Sequence, residues 1–449
     1  MLDTLNRHFV QPLIAARRRS RHLRHYRHLS KSQFDSPDVV RARQLAMLKA
    51  QLRHAYATVP FYRRTWAAAG VHPDDVKSLD DFRHFPIVTK TDIRKHAAEM
   101  LSEAYRGANL RTKTTSGSTG VPLVIKLDER GAQWKAGCTL RADEWSGWKL
   151  GQRVAKVWGN PEYRHSGLRG RITNHFVDRA IYLDTIGMTE GRIREFVAAV
   201  RRHRPGLVFG HAHSLYMLAC VLNKSGIADI RPNGCISTAM PLHDYQRKAI
   251  ETALGVPVTN RYGCEEVSLI AAECEAHRGL HVNADNVYVE APVGKPGPLV
   301  VTDLVNRAMP LIRYQVGDVA AGASQTCSCG RGLPLLDRIE GREADYVVTP
   351  AGTLISGISL TENFALLIAG AAQVQIVQET VHDLRIRLVP GDGFGENSRG
   401  QIEKLVRDTF GPAVRYEVEL VDAIPQEPSG KYRFCISKVA RDHPQALSA

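Results

Sequence analysis

Four short apolar runs, each closed by glycine, asparagine or hydroxyl residues and separated by helical patterns, constrain this chain most. Residues 153–158 alternate like a strand and stop at Gly159-Asn160. Residues 206–210 are a buried strand, after which His211-Ala212-His213-Ser214 opens a helix through Leu215, Leu218 and Leu222. Residues 234–239 form a third strand, a helix runs through Tyr245 to Leu254, and residues 256–259 form a fourth strand. Strands alternating with helices specify a parallel α/β sheet. Ligands on such a sheet sit at the carboxyl ends of its strands, here the polar residues near Ser237 and Thr259. His211 and His213 fit either a pocket wall or the polar start of a helix.

Upstream, Thr114-Thr115-Ser116-Gly117-Ser118-Thr119-Gly120 packs five hydroxyls and two glycines into seven residues. Glycine lets backbone N–H groups converge on an anion, and each hydroxyl adds a rotatable donor. The β-prone Leu123-Val124-Ile125 places a strand after it. The stretch reads as a phosphate-covering loop or as a plain polar turn. It is not a Walker-type loop, whose spacing cannot be laid over it.

The 449 residues suffice for two or three domains, and no apolar run approaches the ~20 residues of a membrane span. No signal peptide is read at the start, and a cytoplasmic setting is expected. The net charge of +14 would suit nucleic acid, but its distribution argues against that partner. Residues 1–30 hold Arg7, Arg17, Arg18, Arg19, Arg21, Arg24 and Arg27 with only Asp3 as an acid. This local basic arm reads as a solvated surface helix, or as a weak membrane-surface contact helped by Phe9, Leu13 and Ile14.

The rest of residues 1–110 is a helical lead-in without catalytic spacing. A helix is expected over residues 36–59, ended by Pro60, and a second over 63–70. Further on, Asn260-Arg261-Tyr262-Gly263-Cys264-Glu265-Glu266 reads as a charged loop able to stack a base and hold Mg²⁺. Residues 299–304 and 310–318 read as strands, the second ending at Gly317-Asp318, where a carboxylate could accept ribose hydroxyls. After Gly341 short strands at 346–348, 374–377, 384–389 and 416–420, with a helix at 398–410, outline a small α+β domain.

The hydroxyl–glycine loop, Tyr262-Gly263 with Glu266, Thr302-Asp303, Arg313-Tyr314 with Gly317-Asp318, Gly341-Arg342 and Pro428-Ser429-Gly430-Lys431 occur in one order. That order resembles the adenylate-forming superfamily of acyl-CoA synthetases, luciferases and peptide-synthetase adenylation domains. Within it the chain looks most like the phenylacetate–CoA ligase-like branch, including the CapK-type capsular polysaccharide proteins. The resemblance covers about residues 40–440. It implies an α/β fold: a large N-terminal adenylate-forming domain with a helical lead-in and parallel or mixed sheets, plus a small mobile α+β C-terminal domain. The divisions are residues 1–110, 111–341 and 342–449.

The resemblance also implies roles. Thr115, Ser116, Gly117, Ser118, Thr119 and Gly120 would hold the ATP phosphates. Ser237, Thr238 and Ala239 would line the adenine, with Tyr262 and Gly263 beside it. Asp318 would bind the ribose and Glu266 would reach Mg²⁺. Arg342 would lie at the joint to the C-terminal domain, and Lys431 would swing in to stabilise charge during acyl-phosphate formation. The chain departs from the family in lacking a lysine just after Pro122, where Lys126 is a substitute, in having Glu265 before Glu266, and in having Ala344 after the hinge arginine.

Three thiols and an imidazole, Cys274, His281, Cys327 and Cys329, suit structural tetrahedral zinc or remain free, with His277 and Cys264 in reserve. The pattern resembles a zinc site of phenylacetate–CoA ligase-like proteins, and it would clamp the Tyr262 loop to the cysteine knuckle. Cys138, Cys220, Cys235 and Cys435 read as core residues.

The expected activity is ATP-dependent activation of a small carboxylic acid through an acyl-adenylate, followed by thioester formation with coenzyme A. The alternatives are transfer to an amine, hydroxyl or carrier protein, and a silent scaffold docking through the basic arm. Oligomeric state stays open.

Overall fold

The computed structural model describes residues 2–115, 123–158, 170, 172–185, 188, 190–295, 297–340, 346–350, 354–356, 360, 364, 367–424 and 435–439. Its centre is an 11-stranded sheet. One half contains the expected alternation: β3 (Val154–Val157), β4 (Ala180–Leu183), β5 (Leu207–His211), β6 (Gly234–Thr238) and β7 (Val258–Cys264). These pair in the order β4-β3-β5-β6-β7, all parallel. Their crossovers include the helices Glu190–His203, Ala212–Lys224 and Asp244–Leu254, whose buried faces carry Phe196, Leu218 and Ile250. The five residues of β6 are all buried, as a strand covered on both faces requires.

The other half is antiparallel and continues from β7 through β8 (Ser268–Glu273), β9 (Leu280–Val282), β13 (Leu335–Glu340), β12 (Tyr314–Gly322), β11 (Gly297–Asp303) and β10 (Val287–Glu290). Two expectations are corrected here. The stretch read as a charged loop is mostly strand, because Tyr262 and Gly263 pair with β8 and only residues 265–267 turn. Asp318 does not end a strand. The β11–β12 register jumps between Pro298 and Val300, so residues 316–318 form a bulge inside β12, with Gly317 at φ +91°. Gly-Asp reads as a stop in sequence, but a bulge absorbs the glycine and lets the ladder resume.

A separate hairpin, β1 (Arg111–Thr115) and β2 (Leu123–Leu127), carries the hydroxyl–glycine loop; Thr115 pairs with Leu123. Ser116 through Gly120 lie outside the described residues.

The lead-in is helical. Helix α1 spans His22–Ser32 and α2 spans Pro37–Thr58. Ser36 caps α2 with Pro37 in its first turn. Pro60 does not merely end α2. It is the first residue of the next helix, Pro60–Ala68, where its missing N–H costs nothing.

The first thirty residues are docked rather than free. Helix α1 crosses α3 (Glu129–Asp143) where Gly137 has no side chain; a Cβ there would stand 2.8 Å from His25 Cβ and 3.0 Å from His22 O. Tyr26 donates to Glu144 at 2.7 Å, and Leu23 and Leu29 are buried. Among the described residues no helix is long and apolar enough to cross a membrane.

The large core packs Leu48, Tyr62, Trp66 and Phe82 of the lead-in against Val301, Tyr314 and Leu336 of the antiparallel half. A buried ion pair ties α3 to the antiparallel half. Lys135 of α3 meets Asp303 at 2.6 Å and also donates to Val267 O at 3.1 Å, with Lys135 5 % and Asp303 0 % exposed. The other carboxylate oxygen of Asp303 accepts from the backbone N–H groups of Val305 and Asn306, both at 3.0 Å. This satisfied geometry is what makes so deep a pair tolerable.

The C-terminal part has its own core around Ile376, Ile386, Ile402 and Phe410. Its sheet runs β18 (Arg415–Leu420), β17 (Asp383–Pro390), β16 (Ala371–Thr380) and β19 (Cys435–Ser437), with the helix Glu396–Phe410 against it. Cys435 is buried there. The boundary placed at 341/342 lies outside the described residues.

Asp303→Ala strands the Lys135 ammonium among apolar groups and is expected to cost about 3–5 kcal/mol, read as a drop in the urea midpoint at unchanged slope. Wild-type stability in that variant would remove the pair from its holding role.

Candidate functional site

The two halves of the sheet meet at β7, and the candidate residues gather there. Tyr262 lies one residue beyond the Thr238–Arg261 register pair, so it stands beside the end of β6. Its hydroxyl donates to Asp318 Oδ2 at 2.7 Å. Both partners sit at ladder irregularities: the β7–β8 register shifts between Tyr262 and Gly263, and Asp318 lies in the β12 bulge. Each irregularity turns a side chain out of the regular alternation. Burial, followed by the Asp318 charge, holds the Tyr262 hydroxyl well above its ordinary pKa, so it stays a donor. Gly263 cannot carry a side chain, since a Cβ would lie 2.6 Å from Ser268 O.

Glu266 is buried at the β7–β8 turn. It accepts from Tyr314 at 3.0 Å and has Lys90 at 3.9 Å. Lys90 comes from the lead-in, which shows no catalytic spacing in sequence. The observable signal is the capping box Thr89/Asp92 that fixes its helix start. Tyr314 lies in the Arg-Tyr pair of a motif already noted, while Arg313 works structurally, donating to Glu290 at 2.9 and 3.0 Å and to the carbonyls of Arg83 and Phe85.

The β1–β2 hairpin is fixed beside this turn: Lys113 donates to Ser268 at 3.1 Å and pairs with Glu265 at 3.3 Å. The extra acid at 265 thus anchors the hairpin. Lys126, half-buried on β2, donates to its cross-strand neighbour Thr112 at 2.8 Å.

At the end of β6, Ser237 is fully buried, Thr238 donates to Arg261 O at 3.0 Å, and Ala239 holds φ +67°. A non-glycine residue in the left-handed region is strained, and such strain collects at functional sites. Beside it lies an aromatic cluster at the ends of β3 and β5. Trp158 stacks on Phe209 with centroids 5.5 Å apart and lies 3.9 Å from the His211 ring. The Arg261 guanidinium covers Phe209 at 4.8 Å.

His211 occupies the cap position of the helix Ala212–Lys224 but makes no capping bond, and neither ring nitrogen has a partner among the described residues. Ser214 Oγ and Ser237 Oγ are likewise buried and unpartnered. A helix-start role therefore does not account for His211. His213 does bond within the fold, to Gln246 at 2.6 Å. Lys431 and Arg342 lie outside the described residues.

The thiol–imidazole set forms a second cluster. The candidate ligand atoms of Cys274, His281, Cys327 and Cys329 all lie within 4.8 Å of one another. Cys274 Sγ is 3.7 Å from Cys327 Sγ, and His281 Nε2 is 3.2 Å from Cys329 Sγ. His281 Nδ1 faces Leu333 O at 3.2 Å, which orients the ring with Nε2 toward the sulfurs. Burial lowers His281 to about 4, so the ring is neutral, as a ligand must be. His277 is engaged with Glu273 at 3.2 Å, and Cys264 packs at the edge of the large core.

Tyr262 pairs with Ala271, three residues before Cys274, whereas the six residues of β8 separate Cys274 from the Glu266 turn by about 20 Å. The cluster also seats the lead-in. Arg331 covers Trp145 at 4.9 Å and Phe34 at 5.3 Å, Gln33 takes the indole N–H of Trp145 at 2.8 Å, and the Gly332 N–H donates to Gln33 O at 3.0 Å.

Residues 347–438 match the CapK C-terminal domain family. The chain is 30 % identical over 330 residues to a phenylacetate–coenzyme A ligase of Aromatoleum evansii, covering 70 % of this chain and 72 % of that one. It is 22 % identical over 381 residues to protein CapK of Staphylococcus aureus, covering 81 % of each. A 2-hydroxyisobutyryl-CoA ligase, solved with 2-HIB-AMP and CoA in the thioesterification state, shares the fold at a TM-score of 0.58. Its identity is 23 % over 91 % of this chain and 92 % of that one.

Burial lowers His211 to about 3, with His213 adding to the effect. In the unfolded chain the ring takes a proton near its ordinary 6.5. The unfolded state thus binds the extra proton between these values, and stability falls as pH drops through that window and is flat above it. His211→Phe is expected to shed about one proton from the pH slope of stability there. An unchanged slope would show that His211 is not held neutral.

Proposed function

The chain belongs to the phenylacetate–coenzyme A ligase family of adenylate-forming enzymes and is an AMP-forming acid ligase, and from that membership we propose that it activates a small carboxylic acid as an acyl-adenylate and passes the acyl group to coenzyme A. The observation that carries this reading is the Tyr262–Asp318 pair beside buried Glu266, at the carboxyl end of β6 where the sheet changes from parallel to antiparallel.

In the first step an acid carboxylate oxygen attacks the ATP α-phosphorus and pyrophosphate leaves. Residues 115–120 cover the β- and γ-phosphates, Asp318 accepts the ribose hydroxyls, and Ser237, Thr238, Ala239, Tyr262 and Gly263 border the adenine. Glu266, kept in place by Tyr314, is a hard-oxygen ligand suited to Mg²⁺. When bound, that ion would offset phosphate charge. Lys431 supplies positive charge where the acid meets the phosphate, and Arg342 lies at the joint on which the C-terminal part turns. Positioning and fixed charge carry most of such catalysis. In the second step the thiol attacks the acyl carbonyl and AMP leaves.

Trp158, Phe209 and His211 border the acid. An apolar wall with an uncommitted neutral imidazole favours a flat or compact acid bearing a hydrogen-bonding substituent. A second reading, the same adenylate passed to a hydroxyl, amine or carrier protein, draws support from the CapK-type match over residues 347–438. Product mass spectrometry with and without coenzyme A separates the two.

The Cys274–His281–Cys327–Cys329 set fits structural zinc in donor type and number, with no position left open for chemistry.

Wild-type protein is expected to show acid-dependent ATP–pyrophosphate exchange in a screen of aryl, fatty and hydroxy acids. Lys431→Ala should lose exchange by at least about a hundredfold while still binding ATP; normal exchange in that variant refutes the assignment. Protein purified without chelator should hold about one zinc per chain. A Cys327→Ser/Cys329→Ser variant should hold none and melt at lower temperature; zinc-free wild type of full stability would remove the metal.

A further inference from the structure

The N-terminal segment has its faces reversed. Residues 2–17 run as consecutive helical pieces, Leu2–Leu5, Asn6–Val10 and Gln11–Arg17. Over residues 3–11 the side turned to the protein is polar, and Ala15 is buried beyond it. Asp3 pairs with Arg179 at 2.6 Å, buried Asn6 donates to Phe176 O at 2.5 Å, Arg7 approaches Glu144 at 3.7 Å, and Gln11 donates to Val177 O at 3.1 Å. The approach is close: a Cβ on Gly151 would stand 2.7 Å from Asp3 O and 2.8 Å from Arg7 N.

The side turned to solvent is apolar. Leu2, Leu5, Phe9 and Leu13 recur at helical spacing and are 48 %, 48 %, 67 % and 71 % exposed. Phe176, whose carbonyl holds Asn6, is 51 % exposed and Ile172 is 53 % exposed. A surface helix ordinarily puts its apolar stripe inward. A polar seat with an apolar outer ridge is the arrangement of a helix that meets something else.

Charge identifies the partner. Arg17, Arg18, Arg19, Arg21, Arg24 and Arg27 follow the ridge directly and are all exposed. The one acid among residues 1–30, Asp3, is committed to Arg179. A second copy seated on the ridge about a two-fold axis would bring two arginine clusters together, which their repulsion disfavours. A convex ridge of four large apolar side chains is built to enter a soft medium rather than to receive a peptide in a groove.

We propose that residues 2–27 form a docking face for an anionic lipid surface, with Phe9 and Leu13 entering the acyl boundary and the arginines meeting the headgroups. The proposal does not depend on the reading of the ATP site.

The test is co-sedimentation of the full chain with vesicles of phosphatidylcholine alone or containing about one third phosphatidylglycerol. Wild type should pellet with the anionic vesicles, and less so as salt rises. Phe9→Ser/Leu13→Ser and Arg18→Glu/Arg21→Glu/Arg24→Glu should each weaken partitioning by about tenfold or more, with acid-dependent pyrophosphate exchange unchanged. Absence of pelleting by wild type, or equal pelleting of either variant, overturns the proposal. So does a dimer in gel filtration that Phe9→Ser/Leu13→Ser turns to monomer without any lipid effect, since the ridge would then be a contact between copies.

Discussion

Strand β7 is hydrogen-bonded parallel to β6 on one side and antiparallel to β8 on the other, and the site depends on that change of direction. The parallel side delivers strand ends at one level: Trp158 just past β3, His211 of β5, Thr238 and Ala239 at β6. The antiparallel side can return immediately through a tight turn, which a parallel partner could not do. That turn sets Glu266 beside the strand ends. The same sheet then folds back through β12, so Asp318, 56 residues after Tyr262 in the chain, meets it across 2.7 Å. Neither half alone would supply both a cradle of strand ends and a pair of carboxylates.

Holding such a sheet together requires the lead-in helices to be fixed on the antiparallel half. Apolar burial supplies most of this, through Tyr62, Trp66 and Phe82. Polar contacts select the register. Tyr62 donates to Pro310 O at 2.8 Å and accepts from Ile312 N–H at 3.0 Å, just ahead of Arg313 and Tyr314. The bulged strand with Asp318 is thus fixed from behind by a residue more than two hundred positions earlier.

Much of the parallel half was legible because its strands are brief apolar runs bounded by glycine and polar residues, with period-3.6 patterns between them. The positions of Tyr262, Glu266 and Asp318 in one motif order were legible too. What was hidden has physical reasons. Gly317 reads as the end of a strand, since sequence does not reveal that a bulge will absorb it. Lys90 is invisible as a neighbour of Glu266 because only tertiary packing joins a lead-in helix to the β7–β8 turn. The docking of residues 1–30 was hidden because arginines dominate that segment's composition, whereas the seat is made by Gly137 and Gly151, which carry no side chain at all. The cysteine–histidine set was legible as a set. That it seats the lead-in was not, because only tertiary packing brings Gln33 and Phe34 against Arg331.

The position of that thiol–imidazole cluster has a consequence for how the protein would age. Its nearest dependants are Gln33, Phe34 and Trp145, not the strand ends where ATP chemistry is proposed. An oxidant that consumed the sulfurs would therefore loosen the opening helices first, and the front of the polypeptide would become accessible to proteases. Damage would register first as clipping at the front of the polypeptide.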